Sequence, residues 1–232
     1  MTTFDLIDCY LFDYVSTRHL MQAGKNSCGC ESMVEEMNEI RNMYSSKPIQ
    51  DVLRNCVCWR HGHQYCLKAT AIIEAVDALM KSIITSTGQP FIIKNKINDN
   101  FSDFEELYDF IRSIIGNING IGLLTVYDTA KRIGHLFETP IYPKQYVYLA
   151  AGAADGAINL LKVSSLKFRE PIDLFKPYFG TLPSIFIEDI LCIFKKELLT
   201  VSNQTLVSTV TYPKVQRKSL VTITKNKTVS TI

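Results

Sequence analysis

The chain has 232 residues, 47% of them hydrophobic and 21% charged, with a net charge of +2. That is the composition of an ordinary globular protein built as one large domain or two small ones. No run of 18 apolar residues appears, which argues against a membrane-spanning helix and a membrane partner.

The first residues, Met1-Thr2-Thr3-Phe4-Asp5-Leu6, lack the basic region and apolar core of a secretion signal. The expected location is therefore cytoplasmic. In that setting the seven cysteines read as free thiols or metal ligands rather than disulfides. Charge is uneven along the chain. Residues 201–232 carry Lys214, Arg217, Lys218, Lys225 and Lys227 and no acidic residue. The chain is +2 overall, so a tail of +5 leaves −3 on the first 200 residues. A mildly acidic body with a basic tail is compatible with a nucleic-acid partner, though a basic terminus is more often simply solvated.

Taken in order, the chain reads as nearly all helix from Phe4 to about Leu199. Leu6, Tyr10, Leu11, Tyr14 and Val15 recur at helical spacing between Phe4 and Met21. A break at 27–30 precedes a polar helix from about Glu31 to Tyr44. Pro48 suits the first turn of a helix running to about Cys58. Residues 60–64 read as a turn around Gly62. From Tyr65 to Ile84 the positions of Leu67, Ala71, Ile72, Val76, Leu79 and Ile83 define a strong amphipathic helix.

Residues 85–100, rich in Gly, Pro, Asn and Lys, are a short hairpin or mobile loop and the expected boundary between two halves. Ser102-Asp103-Phe104-Glu105 then starts a capped helix with Phe104, Leu107, Tyr108, Ile111, Ile114 and Ile115 on one face. Further helices are expected from about Thr125 to Phe137, Pro143 to Val163 and Pro183 to Leu199. Gly152 and Gly156 read as a helix-packing surface. Glu188 and Asp189, adjacent on a helix, point about 100° apart and form no acid/base pair. Beyond Ser202 the expectation is a flexible tail or a small edge hairpin.

The most informative stretch is Asn117-Ile118-Asn119-Gly120-Ile121-Gly122-Leu123-Leu124-Thr125. Two glycines at so short a crease between helices permit positive φ and close backbone approach. Ile121 between them can turn inward under both helices. The helix that follows leaves its first amides unsatisfied and carries partial positive charge there, a natural grip for a phosphate oxygen. The plainer alternative is a helical connection with Gly120 as C-cap and Gly122 as a turn residue.

Residues 114–134 resemble the helix-hairpin-helix motif of DNA-repair proteins, including the helix-hairpin-helix DNA glycosylase superfamily, through Ile118, Gly120, Ile121, Gly122, Thr125, Ala130 and Ile133. The resemblance implies backbone contacts to phosphate from Gly120, Ile121 and Gly122, with Thr125 as a further nucleic-acid-binding residue. Lys131 and Arg132 on the second helix, with His135 beyond them, would add electrostatic support. Where lyase-type members carry a nucleophilic lysine, this chain has Leu124. Where they carry an aspartate beyond the hairpin, it reads Tyr142-Pro143-Lys144-Gln145-Tyr146-Val147-Tyr148-Leu149. The resemblance therefore implies binding without the family's catalytic groups, and no catalytic residue is assigned.

Cys28, Cys30, Cys56, Cys58, His61 and His63 are the candidate zinc ligands, with Cys66 nearby. Zinc takes four such ligands in a tetrahedron, but a CxC pair aims two thiolates at one ion less readily than CxxC. On a helix, Cys56 and Cys58 would diverge by about 200°. No cofactor is therefore expected, and Cys56 and Cys66 read as small buried hydrophobes.

The sequence thus predicts an all-α, multi-helix globular protein containing a helix-hairpin-helix. Its parts are an N-terminal helical region (1–84), a loop (85–100), the hairpin-bearing helical region (101–200) and a basic tail (201–232). The expected function is binding of DNA or structured nucleic acid without sequence specificity. The alternatives are a divergent glycosylase- or nuclease-like enzyme, and a helical interaction module whose hairpin is purely structural. The oligomeric state stays open.

Overall fold

A computed structural model describes residues 6–7, 33–59 and 67–201. Cys28, Cys30, His61, His63, Cys66, most of the helix expected over 4–21 and the basic tail beyond 201 lie outside the described residues. The fold is mainly helical, as expected, with two small antiparallel sheets.

The first helices follow the apolar spacing closely. Helix α1 (Met33–Ser46) buries Met37 and Ile40 one turn apart. Helix α2 (Ile49–Val57) begins behind Pro48 and buries Ile49, Val52, Leu53, Cys56 and Val57. Helix α3 (Ala69–Lys81) turns Ala71, Ile72, Ala75, Val76 and Leu79 inward. Residues 85–100 fold into a hairpin of β1 (Ile92–Ile93) and β2 (Lys96–Ile97), turned by Lys94 and Asn95 at positive φ. This segment is no boundary between cores. Phe91 is fully buried and meets the rings of Phe101 and Phe110 at 6.0 and 5.3 Å.

Helix α4 (Phe104–Ile115) starts one residue later than the Ser102–Glu105 pattern expects, with Asp103 as N-cap and Glu106 reaching back. The Asp103 carboxylate accepts from the Glu106 amide at 2.8 Å, and Glu106 accepts from the Ser102 amide at 2.9 Å. Helix α5 (Leu123–Leu136) packs on α4, α2 and α1. Because neighbours surround it, every residue from Thr125 to Gly134 is buried. Its polar side chains consequently point into protein rather than solvent. Together α1 to α5 enclose the first hydrophobic core.

Past residue 141 the chain departs from the helical reading. Tyr146–Tyr148 is strand β3, paired antiparallel with β4 (Arg169–Pro171). Aromatic and β-branched side chains favour that pleated edge. Helix α6 (Gly152–Leu161) begins only after Ala151, whose φ of 43° no regular helix admits. The short α7 (Lys176–Phe179) and α8 (Ser184–Ile193) complete a second core around Val147, Ala157, Phe179, Ile187 and Leu191. The expected packing role of the two glycines holds. A Cβ on Gly156 would lie 1.9 Å from the Leu191 carbonyl oxygen, and one on Gly152 would lie 2.8 Å from Cys192 Sγ. Helices α6 and α8 therefore cross in near backbone contact. Val147 belongs to the second core and Tyr148 to the first, so the two cores meet at β3.

Candidate functional site

The glycine hairpin joins α4 to α5 through seven residues. The Gly116 amide donates to Arg112 O at 2.9 Å and closes α4. A turn follows in which the Ile121 amide donates to Ile118 O at 3.0 Å. Gly120, third in that turn, has φ of +94°, a position that favours glycine. Ile118 and Ile121 are buried beneath the crease, while Asn119, Gly120 and Gly122 are exposed. Ile121 is thus the inward anchor that the sequence suggested.

Gly122 is the N-cap of α5 and has no side chain to offer its amides. The first amide returned within the helix is that of Val126, to Gly122 O at 3.1 Å. The amides ahead of it have no helical acceptor, and nothing stands within 4 Å of a Cβ built on Gly122. The hairpin is therefore an exposed helix start with partial positive charge. The Thr125 side chain is buried, and its carbonyl accepts from Thr129 Oγ1 at 2.7 Å.

Lys131 and Arg132 are the larger correction. Their side chains are 9% and 2% exposed, because α5 is enclosed on all sides. Lys131 Nζ lies 3.4 Å from Asp128 Oδ1. Arg132 meets Glu36 Oε1 at 2.5 Å, Asp128 Oδ2 at 3.8 Å and the Cys56 carbonyl at 2.9 Å. Burial alone would pull the Lys131 ammonium toward neutrality. The carboxylates of Asp128, Glu188, Asp189 and Glu36 outweigh that and hold its pKa above the ordinary lysine value. Both cations are spent inside the protein and present nothing to a phosphate at the hairpin. His135 is half-buried beside Tyr142, to which its Nδ1 is hydrogen-bonded. Burial first, then Arg41, lowers its pKa to about 4 and keeps it neutral.

Glu188 lies buried at the same seam. Burial, reinforced by the neighbouring Asp189 and opposed by Lys131, pushes its carboxyl well above the usual carboxylate range.

Two cations missed by sequence reasoning lie nearer the hairpin. A Cβ on Gly120 would stand 3.6 Å from Ala71 Cβ, so the crease rests on the first turn of α3. Lys68, the exposed N-cap of α3, lies one turn before Ala71. Arg112, also exposed, closes α4 beside Gly116, where its Cγ is 3.2 Å from a Cβ built there. Only the packing of α3 against the crease brings Lys68 to this edge.

Of the zinc candidates, Cys56 is buried and Cys58 half-buried, both as free thiols. Burial raises the Cys56 thiol to about 12, against the pull of Arg132, which disfavours the thiolate a metal requires. Among the described residues no group of three or more His, Cys, Asp or Glu side chains is placed to hold a metal ion. Among the same residues no helix is long and apolar enough to cross a membrane. The chain matches no protein-family model, no curated protein and no solved structure.

Proposed function

We propose that the protein binds the sugar-phosphate backbone of DNA or structured nucleic acid, without sequence specificity, through the hairpin at Gly120–Gly122. The observation that carries this reading is the exposed, side-chain-free start of α5 at Gly122. There the first amides of α5 have no acceptor in their own helix, and no atom beyond the adjoining residues stands within 4 Å of where a side chain would be. A phosphate oxygen is the natural acceptor for such a start, and contacts of this kind carry no base information. Lys68 and Arg112, rather than Lys131 and Arg132, supply the supporting charge.

Fluorescence anisotropy with a labelled duplex oligonucleotide tests the reading. Affinity is expected to fall steeply with salt and to drop when Lys68 and Arg112 are both changed to Ala. Absence of binding to duplex and hairpin oligonucleotides at low salt would sink it.

A further inference from the structure

Resting on the reading of the hairpin as a phosphate grip, we propose that the bound nucleic acid continues along α4 and stacks an unpaired base at Tyr146 and Arg169. The ligand is then a junction of duplex and single strand. Strand β4 carries Arg169 onto α4, where its guanidinium carbon lies 5.4 Å from the centre of the Tyr108 ring and 5.6 Å from that of Tyr146. Its Nη1 donates to Asp109 Oδ1 at 3.0 Å. Two rings and a carboxylate therefore restrain the guanidinium, although the Arg169 side chain is 30% exposed and Tyr146 is only half-buried. An arginine and a tyrosine held together at the surface form a ready stacking face.

This face is continuous with the hairpin. Asp109, Arg112, Ser113 and Gly116 follow one another at intervals of three and four, so they form one stripe about 10 Å long that ends where the crease begins. Asp109, Arg112 and Ser113 are exposed on it. Burial raises the pKa of the Tyr108 hydroxyl, and Arg112 and Arg169 both act against that rise, which places both cations around the same ring. Asp109 neutralises Arg169, and Arg112 remains to draw a phosphate along the stripe. The chemistry of the platform selects what reaches it. Inside a duplex each base is already stacked on its neighbours, and the outside offers only phosphate, sugar and base edges. A base out of the stack can lie flat on an aromatic ring or a guanidinium, and every base has such a face. The platform is thus as indifferent to sequence as the hairpin.

Fluorescence anisotropy on the full chain compares a blunt duplex with the same duplex carrying a short single-stranded extension of either polarity. One polarity is expected to bind about tenfold more tightly than the blunt duplex, in the range of a single stacked base. Tyr146→Ala should abolish that advantage and Tyr146→Phe should keep it, with circular dichroism checking that both fold. A 2-aminopurine in the extension should lose fluorescence on binding the parent protein, a readout that needs no variant. Equal affinity for blunt and extended duplexes, an advantage that survives Tyr146→Ala, or an unchanged 2-aminopurine signal would overturn the platform and leave the hairpin grip standing. No binding of either duplex would overturn both.

Discussion

Arg132 Nε and Glu36 Oε1 stand 2.5 Å apart across ninety-six residues of sequence, with side chains 2% and 14% exposed. The pair ties α1 to the most enclosed helix of the fold. Arg41, further along α1, completes the tie by donating to the carbonyls of His135 and Phe137 at 3.1 and 2.6 Å. A cation at a helix C-terminus is favoured there by the macrodipole.

Arg132→Ala is therefore expected to destabilise the protein by about 3–5 kcal/mol, because it removes the ion-pair partner of the largely desolvated Glu36 and the donor to the Cys56 carbonyl, leaving Asp128 to Lys131 alone. Urea denaturation monitored by circular dichroism checks this. An unchanged midpoint would show that the buried pair contributes nothing. The same variant is unsuited to testing nucleic-acid binding, since loss of fold and loss of binding would coincide.

Gly122→Asp separates the two. The Gly122 backbone, at φ −93° and ψ 171°, is open to any residue, and aspartate is a favoured N-cap, better than glycine by a few tenths of a kcal/mol. Thermal stability should hold or rise slightly, while the carboxylate occupies the free amides and repels phosphate. Duplex affinity is expected to fall about tenfold or more. Unchanged affinity in the stable variant would remove the hairpin from the interface.

Two buried groups set opposing pH trends. The raised pKa of Glu188 means that the folded protein keeps a proton the unfolded chain releases above about 4.5. Its cost is absent in acid and grows as pH rises toward the folded value. Glu188→Gln should therefore gain stability over the parent at pH 8 and lose that advantage near pH 4.5. His135 works the other way. Its pKa falls from 6.5 to about 4 on folding, so the stability it allows is complete above 6.5 and is lost as pH drops through that window. His135→Gln should flatten the acid limb of the stability curve between those values. Denaturation midpoints across pH 4–8 for both variants test both signs, and parallel curves for parent and variants would refute them.

Gly156→Ala pushes a methyl group into the Leu191 carbonyl at the crossing of α6 and α8. Overpacking of this kind costs about 1–3 kcal/mol or more, expected here as a lower melting temperature. Ala151→Gly, at φ 43° and ψ −114° on an exposed turn, should do the reverse by about 1 kcal/mol, since glycine alone adopts that region without strain. Melting curves of the two variants shifting in the same direction would contradict this account of the turn and crossing.

The local pattern was decisive where one face of an element met one core. Apolar spacing placed α2, α3 and α4 within a few residues, Ser102 to Glu105 marked a helix start to within one residue, and Gly120-Ile121-Gly122 marked a crease with its middle residue turned inward. These depend on interactions between residues three or four apart, which sequence carries directly. Periodicity is silent on how many neighbours a helix has. Only the tertiary structure enclosed α5 on all sides, drew Lys131 and Arg132 onto buried carboxylates, turned Tyr146–Tyr148 into a strand by supplying Arg169–Pro171 as partner, and laid α3 against the crease. Each of those outcomes turns on contacts between residues far apart in the chain, whose free energy belongs to the assembled core rather than to any segment of it.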